Sequence, residues 1–228
     1  MFAQDNLLSA ADAALQLDLD PSRVRAMAHS GQLVAKKIGG RWLIDQSSVE
    51  HRRESEVVDG RPFSAPNAWA LLCLAEGESV DWVSRSALSR LRSALRNRGL
   101  HGLAPRLRSR AQPMYLRAHP AALDRMASEP DVVRAGVSAA SGVGIDVLPS
   151  EELDVYLPSG RVEDVVSKYG LEASDRPNVV LRVIADVDPF PWQDCVGPAV
   201  VAIDLFESHD PRSRRAAQQF LDRFVFEE

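Results

Sequence analysis

The apolar residues of the first fifty positions change period midway. Ala10, Ala13, Ala14 and Leu17 recur at helical spacing, and so do Val24 and Met27. Ser9 stands where an N-cap belongs, with Asp12 placed to reach back to it. Asp20 is a good cap for the second predicted helix, and Pro21 fits its first position, where no amide hydrogen is needed. Gly31 is the expected stop. Residues 33–38 and 41–44 then predict two short strands joined by a tight Gly39-Gly40 turn. A closing helix is expected from Asp45 or Ser47 through Arg53.

Residues 54–66 are charged, then Pro-containing, and read as a linker. An apolar helix is expected over 68–74, broken by Gly77. Leu88, Leu91 and Leu95 predict a second helix over 84–98, stopped by Gly99. A short strand is expected at 114–117 and a helix starting at 120–126. Beyond residue 131 strands and helices alternate. Strands are expected at 144–148, 153–157, 178–184 and 199–205. Helices are expected at 161–169, ended by Gly170, and at 212–224, capped by Asp210-Pro211 with Ala216, Phe220 and Phe224 as an apolar stripe. The expected fold is α+β in three parts. These are a winged helix-turn-helix over 1–56, a basic and mainly helical middle over 61–130, and an α/β domain over 131–228. Helix, basic helix and strands make the middle look like a second, degenerate winged helix.

Charge sharpens this division. The 228 residues carry a net charge of −5, which taken globally argues against a nucleic-acid binder. Its distribution argues otherwise. No Asp or Glu occurs between Trp82 and Leu123, where nine arginines fall, Arg106, Arg108, Arg110 and Arg117 among them. The acids gather after Asp131, among them Glu151, Glu152, Asp154, Glu163, Asp164, Asp186, Asp188, Asp194, Asp204 and Glu207. Two surfaces for two partners is the expectation. Pairing between the two halves, or simple coding bias toward arginine, is the competing one.

Helix, turn, helix, Gly, hairpin is the order of a winged helix-turn-helix, a shape that enters a DNA groove. Ser22, Arg25 and His29 share one face of the second helix, with Arg23 beside them. The segments LLSAADAA and SRVRAMAHSGQLVAKKIGGRW, with the Ile44-Asp45 exit, resemble the excisionase-like branch of MerR-type winged helix-turn-helix domains. That resemblance implies a second helix in the major groove and a wing on the backbone. It makes Ser22, Arg23, Arg25 and His29 candidates for bases or nearby phosphates, and Lys36, Lys37 and Arg41 candidates for phosphates. Arg can bond guanine bidentately, while wing cations neutralise phosphate without reading sequence. Trp42 is expected in the core. Arg85, Arg90, Arg92, Arg96 and Arg98 are additional candidate contacts, to DNA, RNA or an acidic protein.

The segment NVVLRVI, with VVAIDLFESHDPRSRRAAQQFLDRF after it, resembles the C-terminal domain of AbiEi-type antitoxins of type IV toxin–antitoxin systems. The Asp-Leu–x–x–Ser–x–Asp-Pro-Arg run carries it. The resemblance implies binding to double-stranded DNA at the protein's own promoter and opposition to a cognate nucleotidyltransferase-like toxin. The excisionase-like N-terminus departs from that family, so its DNA contacts do not carry over. The alternative is an excisionase-like architectural or regulatory DNA-binding protein with a C-terminal oligomerisation domain.

Other classes find little support. Two cysteines, Cys73 and Cys195, make neither a disulfide framework nor a metal site. No apolar run reaches membrane-span length, the N-terminus lacks signal-peptide features, and a cytoplasmic location is the default. Asp204, Glu207 and Asp210, with Asp186 and Asp188, could in principle hold a metal. Yet no Lys stands at nuclease spacing, and Asp210 is explained as a cap. Adjacent Ser208 and His209 lack a nucleophile-elbow motif, and Gly142-Val143-Gly144 lacks a phosphate-loop setting. No catalytic residue, metal or cofactor is expected, and no enzymatic activity.

Overall fold

The computed structural model describes residues 7–29, 32–56, 61–147, 151–174, 176–185 and 195–224. Gly31, Leu148, Asp186, Asp188 and Asp194 lie outside the described residues.

The N-terminal unit begins with strand β1 (Leu7–Ser9), which the sequence pattern did not signal, and helix α1 (Ala10–Leu17). Ser9 caps α1, its Oγ accepting the Asp12 amide at 3.1 Å while its hydroxyl donates to Asp12 Oδ2 at 2.7 Å. After a turn with Asp18 in the left-handed region comes α2 (Pro21–His29). Asp20 starts it by accepting the Ser22 amide at 2.7 Å. Strands β2 (Ala35–Ile38) and β3 (Arg41–Asp45) form the expected hairpin. Gly39 and Gly40 both have positive φ, which two-residue hairpin turns of this kind demand. β3 lies between β1 and β2 in an antiparallel sheet, and α3 (Gln46–Glu56) closes the unit. The core joins Ala13, Leu17, Val24, Met27, Leu33, Ile44 and Val49, and the partly buried Trp42 packs against it.

Residues 61–130, expected as a separate domain, share a core and a sheet with the C-terminal half of the chain. Helices α4 (Ala65–Ala75) and α5 (Arg85–Leu103) lead through a 3-10 stretch, Ala104–Arg110, into β4 (Gln112–Arg117). Gly99 interrupts α5 at positive φ, where a stop was expected, and the chain then resumes helical turns to Leu103. The rest comprises α6 (Leu123–Met126), β5 (Val133–Arg134), α7 (Gly136–Ala139), β6 (Leu153–Pro158), α8 (Val162–Tyr169), β7 (Glu172–Ala173), β8 (Val179–Ile184), α9 (Pro198–Phe206) and α10 (Pro211–Leu221). The sheet order is β5-β6-β8-β4-β7. β6 and β8 run parallel and the other pairs antiparallel. β4 therefore pairs across the chain with β8 and β7, so the middle is not a second winged helix.

Two expected strands are absent among the described residues. Residues 145–147 are irregular after Gly144, which ends a 3-10 turn in the left-handed region. Residues 199–205 form helix α9. All seven are buried, so no solvent face marks a helical period in the sequence. Pro198 fits the first turn, and Glu76 from the end of α4 supplies the missing cap by accepting the Ala199 amide at 2.8 Å. Gly197 makes room for this, since a Cβ there would overlap the Glu76 carboxylate.

The sheet separates two cores. Leu153, Val155 and Leu157 of β6, with Val179 and Leu181 of β8, face Leu116, Met126 and Val165. On the opposite face Tyr156 meets the larger core built by α4, α5, α9 and α10. That second face also carries the polar residues Asp154 and Arg182, both buried.

Candidate nucleic-acid interface

The N-terminal unit is built on an apolar core and carries most of its described cations on the outside. Val24, Met27 and Ala28 anchor α2, which turns Ser22, Arg23, Arg25 and His29 to solvent. Lys37 and Arg41 flank the hairpin turn and are exposed, while Lys36 is partly buried. Trp42 ties hairpin to helix. The His29 ring meets it edge-on at 6.4 Å, and Lys37 Nζ lies 5.8 Å from its centroid. Six of the seven candidates are thus exposed. Ser22 has a local duty, because its hydroxyl and amide both bond Asp20 and hold that carboxyl below its usual value.

Residues 7–56 match the family described as a helix-turn-helix domain. The N-terminal unit is a helix-turn-helix domain. Domains of this kind bind DNA, and exposed cations stand on its second helix and on its β2–β3 hairpin. The match covers this domain and leaves the body, residues 61–224, outside it. No curated protein and no solved structure matches the chain.

In the body, α5 buries Leu91 and Leu95 and exposes Arg85, Arg90, Arg92, Arg96 and Arg98. Arg110, from the same arginine-rich segment, has the opposite fate. It is 2% exposed and caught among acids from the C-terminal half. Its Nη2 donates to Asp204 Oδ1 at 2.6 Å. Its two terminal nitrogens grip Glu207 at 2.8 and 2.7 Å, and its Nε reaches the Tyr156 hydroxyl at 3.0 Å. Tyr156 donates in turn to Asp204 Oδ1 at 2.7 Å. Arg182 holds Asp154 bidentately at 2.7 and 2.9 Å, and its Nη1 lies 3.3 Å from Asp204 Oδ1. Such planar double bonds are the strongest ion-pair geometry proteins use.

Each of the described acids singled out as metal-ligand candidates, Asp204, Glu207 and Asp210, has a structural partner. Asp204 lies inside a helix, not at a strand end, and two guanidiniums surround it. Burial pushes the Glu207 carboxyl up, but Arg110, Arg182 and Arg108 together hold it below the ordinary value. Asp210 caps α10, accepting the Ser213 amide and hydroxyl at 2.8 Å each. Arg214 folds back on the Ser208 and His209 carbonyls at 2.9 and 3.0 Å. Among the described residues no group of His, Cys, Asp and Glu is placed to hold a metal ion. None of the described helices is long and apolar enough to cross a membrane. Cys73 is buried in α4, and burial above all pushes its thiol up to about 12.

Proposed function

We propose that the chain is a non-enzymatic, DNA-binding transcriptional autoregulator and AbiEi-like antitoxin. In this reading the β2–β3 hairpin is a wing on the DNA backbone and α2 enters the major groove of the protein's own promoter. Arg23 and Arg25 read bases or grip nearby phosphates, and Lys36, Lys37 and Arg41 contact phosphates. The observation that carries the antitoxin part is the structural role of the resembling motif. Asp204 and Asp210 of the Asp-Leu–x–x–Ser–x–Asp-Pro-Arg run, with Arg214 just beyond it, tie down α9, the turn and α10. The run is a folding device, so its residue types support shared architecture with the antitoxin body rather than a catalytic site. The body acts by contacting, or otherwise opposing, a nucleotidyltransferase-like toxin.

The test is co-expression of the full chain with a nucleotidyltransferase-like toxin encoded in the same operon. Restored growth supports the proposal, and persistent arrest with the complete protein present overturns the antitoxin part. The second reading is an excisionase-like architectural or regulatory protein whose body only oligomerises. The limits of the family match, residues 7–56, favour it. It predicts intact promoter binding with no effect on the toxin.

A further inference from the structure

Two large apolar side chains stand exposed among the described residues, Leu15 on α1 and Ile38 on β2, at 83% and 57%. A lone exposed apolar residue is ordinary on a protein surface, and Leu15 is one. Ile38 differs by its setting. It is the last residue of β2, and it pairs with Arg41 across the Gly39-Gly40 turn. Ala35 and Ile44, both buried, mark the core face of the hairpin, and strand alternation places Ile38 and Arg41 on the other face. A Cβ at either glycine would meet nothing within 4 Å, so the tip is open. Ile38 and Arg41 are the first side chains that a surface approached by this tip would meet.

β2 is also an edge of its sheet. Edge strands are ordinarily guarded by charge, lysine above all. Lys36 and Lys37 follow that rule and Ile38 breaks it. Its occupant therefore has to take an apolar side chain beside Lys37 and Arg41, both exposed. Duplex DNA meets both demands, with phosphates for the cations and stacked bases for the isoleucine. We propose that Ile38 is an apolar wedge, which enters the minor groove next to the major groove that α2 occupies and partly unstacks one base step, while Arg41 holds the adjacent phosphate.

This inference rests on the DNA-binding reading and deepens it. Unstacking costs least at pyrimidine–purine steps, so Ile38 adds sequence preference without a hydrogen bond to any base. Because it touches no phosphate, it adds nothing to the salt dependence of binding.

A scan of promoter duplexes, each with 2-aminopurine in place of one adenine, tests the wedge in the full chain, since 2-aminopurine brightens where its neighbours unstack. Wild type should brighten one position by about threefold or more. Ile38→Ala should abolish that rise and weaken binding by about tenfold, with salt slope and melting temperature unchanged. Ile38→Leu should keep both the rise and the affinity. A wild type that saturates the duplex with every position dark overturns the proposal, and so does an undiminished rise in Ile38→Ala. The rival occupant is a second copy paired along β2. Loss of a dimer in sedimentation of DNA-free Ile38→Ala, with the rise retained on duplex, assigns Ile38 to that copy instead. A wild type that binds no duplex sinks the regulator reading and the wedge with it. Saturated binding without brightening sinks the wedge alone.

Discussion

The helix-turn-helix domain keeps its described arginines out of its core, whereas the body, besides the exposed arginines of α5, buries two. In the helix-turn-helix domain the core is apolar and Arg23, Arg25 and Arg41 stand in solvent. In the body Arg110 and Arg182 are buried and locked to Asp154, Asp204 and Glu207. An exposed arginine is available to phosphate, while a buried and paired one is part of the fold. Arginine content thus says little about nucleic-acid binding until each guanidinium is placed. The negative net charge is equally uninformative, since many of the acids that produce it sit in the body.

The largest effect that could break this contrast lies in the buried cluster. Arg110→Ala and Asp204→Asn each leave buried charges uncompensated, and each should cost about 3–5 kcal/mol in urea unfolding of the body. A loss of under about 1 kcal/mol would show that the cluster does not hold α9 to the sheet. Gly136→Ala should come next, at about 3 kcal/mol. Gly136 has a φ of +41°, and a Cβ there would overlap the Asp154 carboxylate that Arg182 holds. A melting temperature equal to wild type would contradict the packing of α7 on β6.

The third prediction concerns acid. The Glu207 carboxyl sits below its ordinary value of 4.5, so its stabilisation is complete above that pH and is lost as pH falls through the lower folded value. Thermal melts should therefore weaken below about pH 4.5, and Glu207→Gln should flatten this loss. Identical pH profiles for the two proteins would remove Glu207 from the account. The smallest stability effect is expected on the exposed side. Arg25→Ala and Arg41→Ala should each change unfolding free energy by no more than about 0.5 kcal/mol. A larger loss would mean that these side chains serve the fold after all.

The contrast also explains what the sequence revealed and what it hid. In the first domain the helices have a wet and a dry side, so period and caps located α1, α2 and the hairpin. Only the three-residue β1 escaped, being too short to carry a period. In the body both faces of the sheet are covered. Alternation along β6 would assign Asp154 and Tyr156 to solvent, yet α7 packs on Asp154 and Tyr156 bonds Asp204 of α9. α9 itself, buried on every side, read as a strand. The pairing of Arg110 with Asp204 spans 94 positions and leaves no local mark. The exposure of the candidates on α2 and around the hairpin turn was legible because a solvated side chain needs no distant partner.

The central claim is that the exposed cations of the helix-turn-helix domain are the ones that meet DNA. It is tested most directly by fluorescence anisotropy of a promoter duplex across a salt series, comparing wild type with the Arg25→Ala/Arg41→Ala double variant. Each phosphate contact contributes about 0.9 to the slope of log affinity against log salt. If both arginines meet phosphate, the double variant should bind more weakly with a slope shallower by about two. If Arg25 reads a base instead, the slope should fall by about one and sequence preference should relax. Unchanged affinity and an unchanged slope would contradict the assignment of this face.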